Sequence, residues 1–318
     1  MMKVGSLFSG IGGIDLGFEQ AGFKIAWAVE KDAASCKTYR FNFPSVNLLE
    51  KDIRSVNSDD FEKVDVIVAG FPCQSFSVAG KQRGFLDPRG HLFYEIGKFI
   101  ARCNPRFVFL ENVPNLLEHD EGKTFLVIHN VLSELNYSIR YRVLRASNYG
   151  NVPQIRDRIY IVAFRDQADC DCFTYPEEIP LRVDIETILN RSQKKHAIYY
   201  YDKESEFGKK AHAVVIDSRS IYRVFNNDIK IIKNNMCPTL TASMGTKENQ
   251  VPLVRDAFGV RKITIYECLA FQGFTVDFKF PHSITLNDAY KQIGNSVCVP
   301  VIKRIAEQIK KVIELEDK

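Results

Sequence analysis

The sequence predicts an α/β protein built on a doubly wound, largely parallel sheet, with a smaller irregular domain inserted before a C-terminal helix. Three observations carry this reading. Short apolar strands alternate with helical segments over the first 165 residues, the alternation stops from about residue 166, and a helical period returns over Val299–Glu316. Strands are read at Lys3–Ser9, Phe23–Val29, Asp65–Ala69, Arg106–Leu110, Tyr141–Leu144 and Arg158–Phe164. Helical patterns fall between them: Gly10–Gly22 with Ile14, Leu16 and Phe18, then Ala33–Asn42, Leu92–Cys103 with Phe93, Ile96 and Phe99, and Lys123–Leu135. Residues 181–283 are richer in Asn, Lys and Tyr, with irregular short runs and many turn signals. The last helix carries Val301, Ile305, Ile309 and Val312 at helical spacing. The expected division is therefore an α/β domain of residues 1–180 plus 284–318, interrupted by a domain of residues 181–283.

Composition bounds the class. The chain has 318 residues, 45% of them hydrophobic and 26% charged, which suits a globular protein with room for two domains. Apolar runs such as Val64–Phe71 are far shorter than the roughly 20 residues a bilayer-spanning helix needs. The start shows no signal-peptide pattern, so a cytoplasmic protein without a membrane partner is expected. The net charge of +4 says little about partners, but its distribution says more. Residues 181–283 hold 16 Lys and Arg against 11 Asp and Glu, a balance of +5, while the remainder holds 27 against 28. The eight cysteines are scattered, with no Cys-x-x-Cys and no second ligand pair beside Cys170-Asp171-Cys172, so no metal site is expected.

The segment Ser6-Leu7-Phe8-Ser9-Gly10-Ile11-Gly12-Gly13 follows the first strand and opens a helix. Glycines there let backbone amides and the helix N-terminus face a ligand. Glu30 ends the second strand about 20 residues later, the usual position for a carboxylate that grips ribose hydroxyls. Asp52-Ile53 lies in a loop beside the same crevice. A dinucleotide site is disfavoured because Asp15 stands where a third glycine belongs, and a phosphate loop lacks its Gly-Lys-Ser/Thr. A nucleoside-type cofactor without pyrophosphate, S-adenosylmethionine being the obvious candidate, and a purely structural turn both remain.

The strand at Asp65–Ala69 runs into Gly70-Phe71-Pro72-Cys73-Gln74, which brings a thiol to the carboxyl edge of the sheet, where ligands of doubly wound proteins bind. The next strand ends in Leu110-Glu111-Asn112-Val113, bringing a carboxylate to the same edge. No His occupies an equivalent strand end, which argues against a Cys-His hydrolase. A cysteine and a glutamate at neighbouring strand ends suit the addition of a thiolate to an electron-poor ring while an acid hydrogen-bonds a ring nitrogen. The polar stretch Ala79–Gly84 reads as a loop over the site.

Taken in order, these segments resemble the cytosine-5 DNA methyltransferases of the bacterial or phage modification type. The resemblance rests on Phe8-Ser9-Gly10-Ile11-Gly12-Gly13, Gly70-Phe71-Pro72-Cys73-Gln74 and Glu111-Asn112-Val113. It continues through Gln154-Ile155-Arg156-Asp157-Arg158, Gln272-Gly273-Phe274 and Gly294-Asn295-Ser296-Val297, and so covers nearly the whole chain. It implies a sequence-specific enzyme that flips its target cytosine out of double-stranded DNA. Cys73 would attack C6, Glu111 would contact N3 and the exocyclic amine, Arg158 would contact O2, Arg156 would support the site electrostatically, and Asn112 would brace the nucleophile loop. The cofactor implied is S-adenosylmethionine, converted to S-adenosylhomocysteine, with no metal. Phe8, Gly10, Ile11, Gly12, Gly13, Glu30, Lys31, Asp52, Ile53, Pro72, Leu92, Asn295 and Ser296 would hold it. Gln74, Lys81, Gln82 and Arg83 would meet DNA from the loop. The basic stretch 181–283 coincides with the family's target-recognition domain, where Thr239-Leu240 resembles its Thr-Leu signature. The resemblance further implies a monomer whose restriction endonuclease, where one exists, is a genetic and not a physical partner.

The chain departs from the family's pattern at Tyr266-Glu267-Cys268-Leu269-Ala270-Phe271, where two usual arginines are missing, and at Thr275, where Pro is usual. That puts DNA affinity or specificity in question more than chemistry. An RNA-directed relative would carry a Cys-Phe-Thr segment that is not recognisable here, and a silent DNA-binding paralogue would be expected to lose Cys73.

Overall fold

The computed structural model describes residues 1–72, 92–232, 236–247 and 249–316. The chain separates into two compact units, one of Met1–Leu144, Asp157–Glu177 and Val301–Lys318, the other of Arg145–Arg156 and Glu178–Pro300. These boundaries differ from the division expected above: residues 145–156, 178–180 and 284–300 cluster with the second unit.

The first unit is built on a seven-stranded sheet. In chain order its strands are β1 (Lys3–Leu7), β2 (Lys24–Glu30), β3 (Asn47–Glu50), β4 (Val66–Ala69), β5 (Phe107–Asn112), β6 (Ser138–Arg145) and β7 (Asp157–Phe164). Their order across the sheet is β3-β2-β1-β4-β5-β7-β6. The pairs β1–β2, β1–β4, β2–β3 and β4–β5 are parallel, while β5–β7 is antiparallel. Every residue of β4 and of β5 is buried, as expected of central strands covered on both faces. Gly5 of β1 is required by close packing: a methyl there would fall 2.2 Å from the Trp27 indole. Helix Leu92–Cys103 buries Phe93, Ile96, Phe99 and Ile100 against the sheet core. Gly17 of helix Gly13–Gln20 lets the C-terminal helix approach, since a methyl would meet Ile302 at 2.6 Å. β3 is absent from the sequence reading because its four residues lack apolar alternation, with none buried.

This order creates the switch point of the sheet. The chain runs outward from β1 to β3, then crosses to the other side of β1 to form β4. The crevice between diverging connections therefore lies at the carboxyl ends of β1 and β4. The segments leaving those ends are 8–12 and 70–72.

The second unit is more regular than the sequence suggests. It holds a four-stranded antiparallel sheet of β8 (Ile221–Phe225), β9 (Asp228–Ile232), β10 (Leu253–Asp256) and β11 (Gly259–Lys262), in the order β11-β10-β8-β9. Ala211, Val215, Tyr222, Val224, Ile229, Leu253 and Val260 form its core. The β8–β9 turn is Asn226-Asn227, with φ of 48° and 62°, the left-handed pair that a two-residue hairpin turn demands. Asn tolerates this conformation, so Asn-Asn between two alternating runs is the signal that could have revealed the hairpin. Arg261 is fully buried, its guanidinium meeting Asp256 at 2.7 Å and Glu267 at 2.8 and 2.9 Å. Glu267 also closes a capping box with Thr264 at the start of helix Ile265–Phe271.

Candidate active site

The loop leaving β1 is shaped by positive φ at Phe8 (54°), Gly10 (56°) and Gly12 (87°). At Gly12 both conformation and space demand glycine, since a methyl would lie 2.3 Å from the Phe43 ring. Above Gly10, by contrast, a methyl would meet no atom within 4 Å among the described residues, so the backbone there faces open space. Glu30 ends β2 and turns its carboxylate across the loop. It accepts from the backbone N–H of Gly10 at 2.8 Å, Lys31 at 2.7 Å and Asp32 at 2.8 Å. Three amide donors fix the orientation of this carboxylate before any ligand arrives.

Asp52 follows β3 and caps a short 3-10 turn over Ile53–Ser55. Arg54 grips it through Nε at 2.9 Å and Nη2 at 2.7 Å, and Lys31 lies 3.4 Å away. The Arg54 guanidinium holds the Asp52 carboxyl well below the usual carboxylate range, so it stays ionised. Phe8, Val29, Glu30, Asp52, Ile53 and Leu92 line a cleft at this edge of the sheet. Ile11, Gly12 and Gly13 are buried behind it.

Behind the loop lies a group the sequence reading used only as a mismatch. Asp15 is completely buried, with Ser6 Oγ donating at 2.6 Å and the Tyr39 hydroxyl at 2.5 Å. Burial pushes its pKa up to about 6, against the pull of both hydrogen bonds. Its carboxyl ties β1, helix Gly13–Gln20 and helix Ala33–Asn42 together beneath the glycine loop.

The second half of the edge is formed by β4, β5 and β7. Asn112 is buried at the end of β5 and uses both ends of its amide. Nδ2 donates to the Phe71 carbonyl at 2.9 Å, and Oδ1 accepts from the Val113 N–H at 2.8 Å. The chain that leaves β4 is therefore pinned two residues before Cys73. Glu111 is mostly buried, and Arg158 Nε lies 3.0 Å from its Oε1. The antiparallel β5–β7 register pairs Asn112 with Ile159, which is how residues 47 positions apart in the chain come to share one corner. Sequence alone cannot supply that register. Cys73 itself, with Gln74, Lys81, Gln82 and Arg83, lies outside the described residues.

In the second unit, Arg156 is buried and donates through Nη1 to the Leu240 carbonyl at 2.7 Å and through Nη2 to the Ser296 carbonyl. Both of these acceptors are carbonyl oxygens, and the two bonds tie segment 237–241 to the turn after helix Leu286–Asn295. Thr239 Oγ1 donates to the Ile155 carbonyl at 2.5 Å, and Leu240 is fully buried. Leu240, which the Thr-Leu resemblance groups with Thr239 among the DNA-binding residues, has its side chain buried within the unit. Gly294 permits equally close packing, a methyl there falling 2.1 Å from the Thr241 carbonyl carbon. Tyr266, at the position of a missing arginine, is exposed, whereas the neighbouring Glu267 is buried against Arg261.

Residues 2–311 match the family described as C-5 cytosine-specific DNA methylase. The chain belongs to that family. It is 45% identical over 314 residues to the Type II methyltransferase M.Bsp6I of Bacillus sp. (strain RFL6), covering 98% of this chain and 99% of that one. It is 31% identical to M.HhaI of Haemophilus parahaemolyticus, covering 95% of this chain and 92% of that one. Among solved structures, a Spodoptera frugiperda DNMT2 variant superposes with a TM-score of 0.74 at 21% identity, covering 98% of this chain and 100% of that one. A putative DNA modification methyltransferase from an Escherichia coli prophage gives 0.72 at 21%, covering 99% and 100%. These two likenesses establish the shared fold. This methylase is thus a DNA cytosine-5 methyltransferase with the α/β architecture its sequence predicts. No described helix is long and apolar enough to cross a membrane, and no group of three or more potential metal ligands occurs among the described residues.

Proposed function

We propose that this methylase is sequence-specific and acts through a covalent adduct between Cys73 and C6 of a cytosine flipped from duplex DNA. The reading is carried by the Asn112 bond to the Phe71 carbonyl, beside the Glu111–Arg158 pair. That bond fixes the chain entering Cys73 next to a buried carboxylate and a guanidinium, which together suit a pyrimidine ring. The Cys73 thiolate adds to C6, and the electron pair of the C5–C6 double bond becomes available at C5. Glu111 hydrogen-bonds N3 and the exocyclic amine, holding the proton that offsets charge on the ring, and Arg158 contacts O2. After C5 has taken a methyl, its proton leaves to a base, the double bond re-forms and Cys73 departs as thiolate.

The donor set of the β1 edge fits S-adenosylmethionine. Glu30, preset by three amides, would hold the ribose hydroxyls, and the ionised Asp52 the adenine amine. Phe8, Ile53, Leu92 and Pro72 would cover the rings, and the backbone at Gly10 would face the amino-acid end. When bound, it supplies the electrophilic methyl. On the motif pattern alone, Asn295 and Ser296 are assigned to the same cofactor, and Arg156 to supporting the chemistry. Its relatives are named Type II methyltransferases, and we assign this enzyme the modification half of a restriction-modification system.

The test is trapping. With S-adenosylmethionine and duplex DNA containing 5-fluorocytosine, the protein forms a stable adduct, because fluorine cannot leave as the proton does, and Cys73→Ser forms none. Absence of an adduct across varied duplexes would sink the mechanism.

A further inference from the structure

A cavity of about 490 Å³ opens within the second unit, bordered by the β8–β9 hairpin, by Thr241 and Ser243, and by Gln250. Its chemistry is unusual for a structural hollow. Side chains of β8 alternate, so Tyr222 and Val224 enter the core while Arg223 and Phe225 face outward. The Arg223 guanidinium lies 5.2 Å from the Phe225 ring centroid, a stacked arrangement that holds the planar fork in one orientation. The register sets Lys230 directly opposite Arg223. Lys230 is paired with Asp228 at 3.1 Å, so the face presents Arg223 beside a compensated lysine. Gln250 is 92% buried as a residue and lines the cavity. Thr241 and Ser243 share a hydroxyl hydrogen bond at 2.7 Å, leaving further donor and acceptor capacity at the rim.

We infer that this cavity reads the DNA target, with Arg223 donating bidentately to O6 and N7 of a guanine and Gln250 meeting the edge of a neighbouring base. The inference rests on the proposed function as a sequence-specific DNA methylase and names the residues that set its specificity. A planar, ring-stacked fork matches two acceptors side by side on a guanine edge, whereas a phosphate needs only the charge. An amide carrying both donor and acceptor suits a base edge for the same reason.

The experiment uses the full chain with S-adenosylmethionine and a library of duplexes that vary every base around a cytosine, read by bisulfite sequencing. Wild type defines the preferred sequence. Arg223→Ala and Arg223→Lys are expected to lose discrimination at one guanine by roughly 10- to 100-fold, with other positions unchanged. Gln250→Ala is expected to relax a different, adjacent position. A uniform fall in methylation by Arg223→Ala that Arg223→Lys restores, with the preferred sequence intact, would show a phosphate contact and overturn the inference. Unchanged specificity in both variants would also overturn it. Should Arg223→Ala be inactive, Arg223→Lys alone decides. Failure of the underlying reading looks different: wild type itself then methylates no cytosine in the library.

Discussion

Replacing Asn112 by Ala tests whether the chain entering Cys73 must be held for catalysis. The substitution removes the 2.9 Å bond to the Phe71 carbonyl and the 2.8 Å bond from the Val113 N–H. A neutral hydrogen bond is worth about 1 kcal/mol net, and a buried group left without a partner costs about 1–3 kcal/mol. If the Phe71 bond serves mainly to position the chain before Cys73, that energy appears in the barrier, and adduct formation should slow by roughly five- to a hundredfold. The assay is the single-turnover rate of adduct formation on 5-fluorocytosine duplex, with thermal denaturation and calorimetric binding of S-adenosylmethionine measured beside it. Glu30 and Asp52 are held by contacts that Asn112 does not touch, so binding should persist, weakened at most by the contact proposed for Pro72, which follows Phe71. Adduct formation at the wild-type rate in a folded Asn112→Ala protein would refute the reasoning.

Three further outcomes are expected. Glu111→Gln, which keeps shape but loses charge and acidity, should lower turnover by roughly 10²–10⁴-fold while S-adenosylmethionine still binds; loss of binding would show that the role given to Glu111 is wrong. Arg261→Met leaves Asp256 buried without its cation and Glu267 with only Lys195 at 3.8 Å, and should destabilise the protein by about 3–5 kcal/mol in chemical denaturation, more than the triple replacement of Arg261, Asp256 and Glu267 by apolar residues. Asp15, with its pKa raised to about 6, contributes stability that is fully present below its unfolded value near 3.8 and lost as pH rises through 6. Asp15→Asn should therefore gain on wild type by up to roughly 3 kcal/mol between pH 4 and pH 7, and parallel stability profiles over that range would refute the burial argument.

Much of the first unit was legible because its signals are local. A fully apolar Val66–Ala69 can only be a covered strand, Leu92–Cys103 carries one apolar face, and Glu30 falls one helix after the glycine loop. The second unit was less legible because its strands are four or five residues long and its charges disguise its core. Arg261 reads as a surface residue in sequence and is fully buried in the fold.

The sequence by itself determined the family, the order of the motifs and the residue types at each strand end, since these depend on neighbours within a few positions. Only the tertiary structure decided which of those residues meet. The antiparallel seating of β7 against β5 brings Arg158 to Glu111, and the reach of one buried amide joins Asn112 to Phe71. The same packing turned Leu240 inward and left Arg223, Phe225 and Gln250 around an open cavity. The reason is physical: burial and register are set by contacts between segments distant in the chain, and neither is written in any single segment.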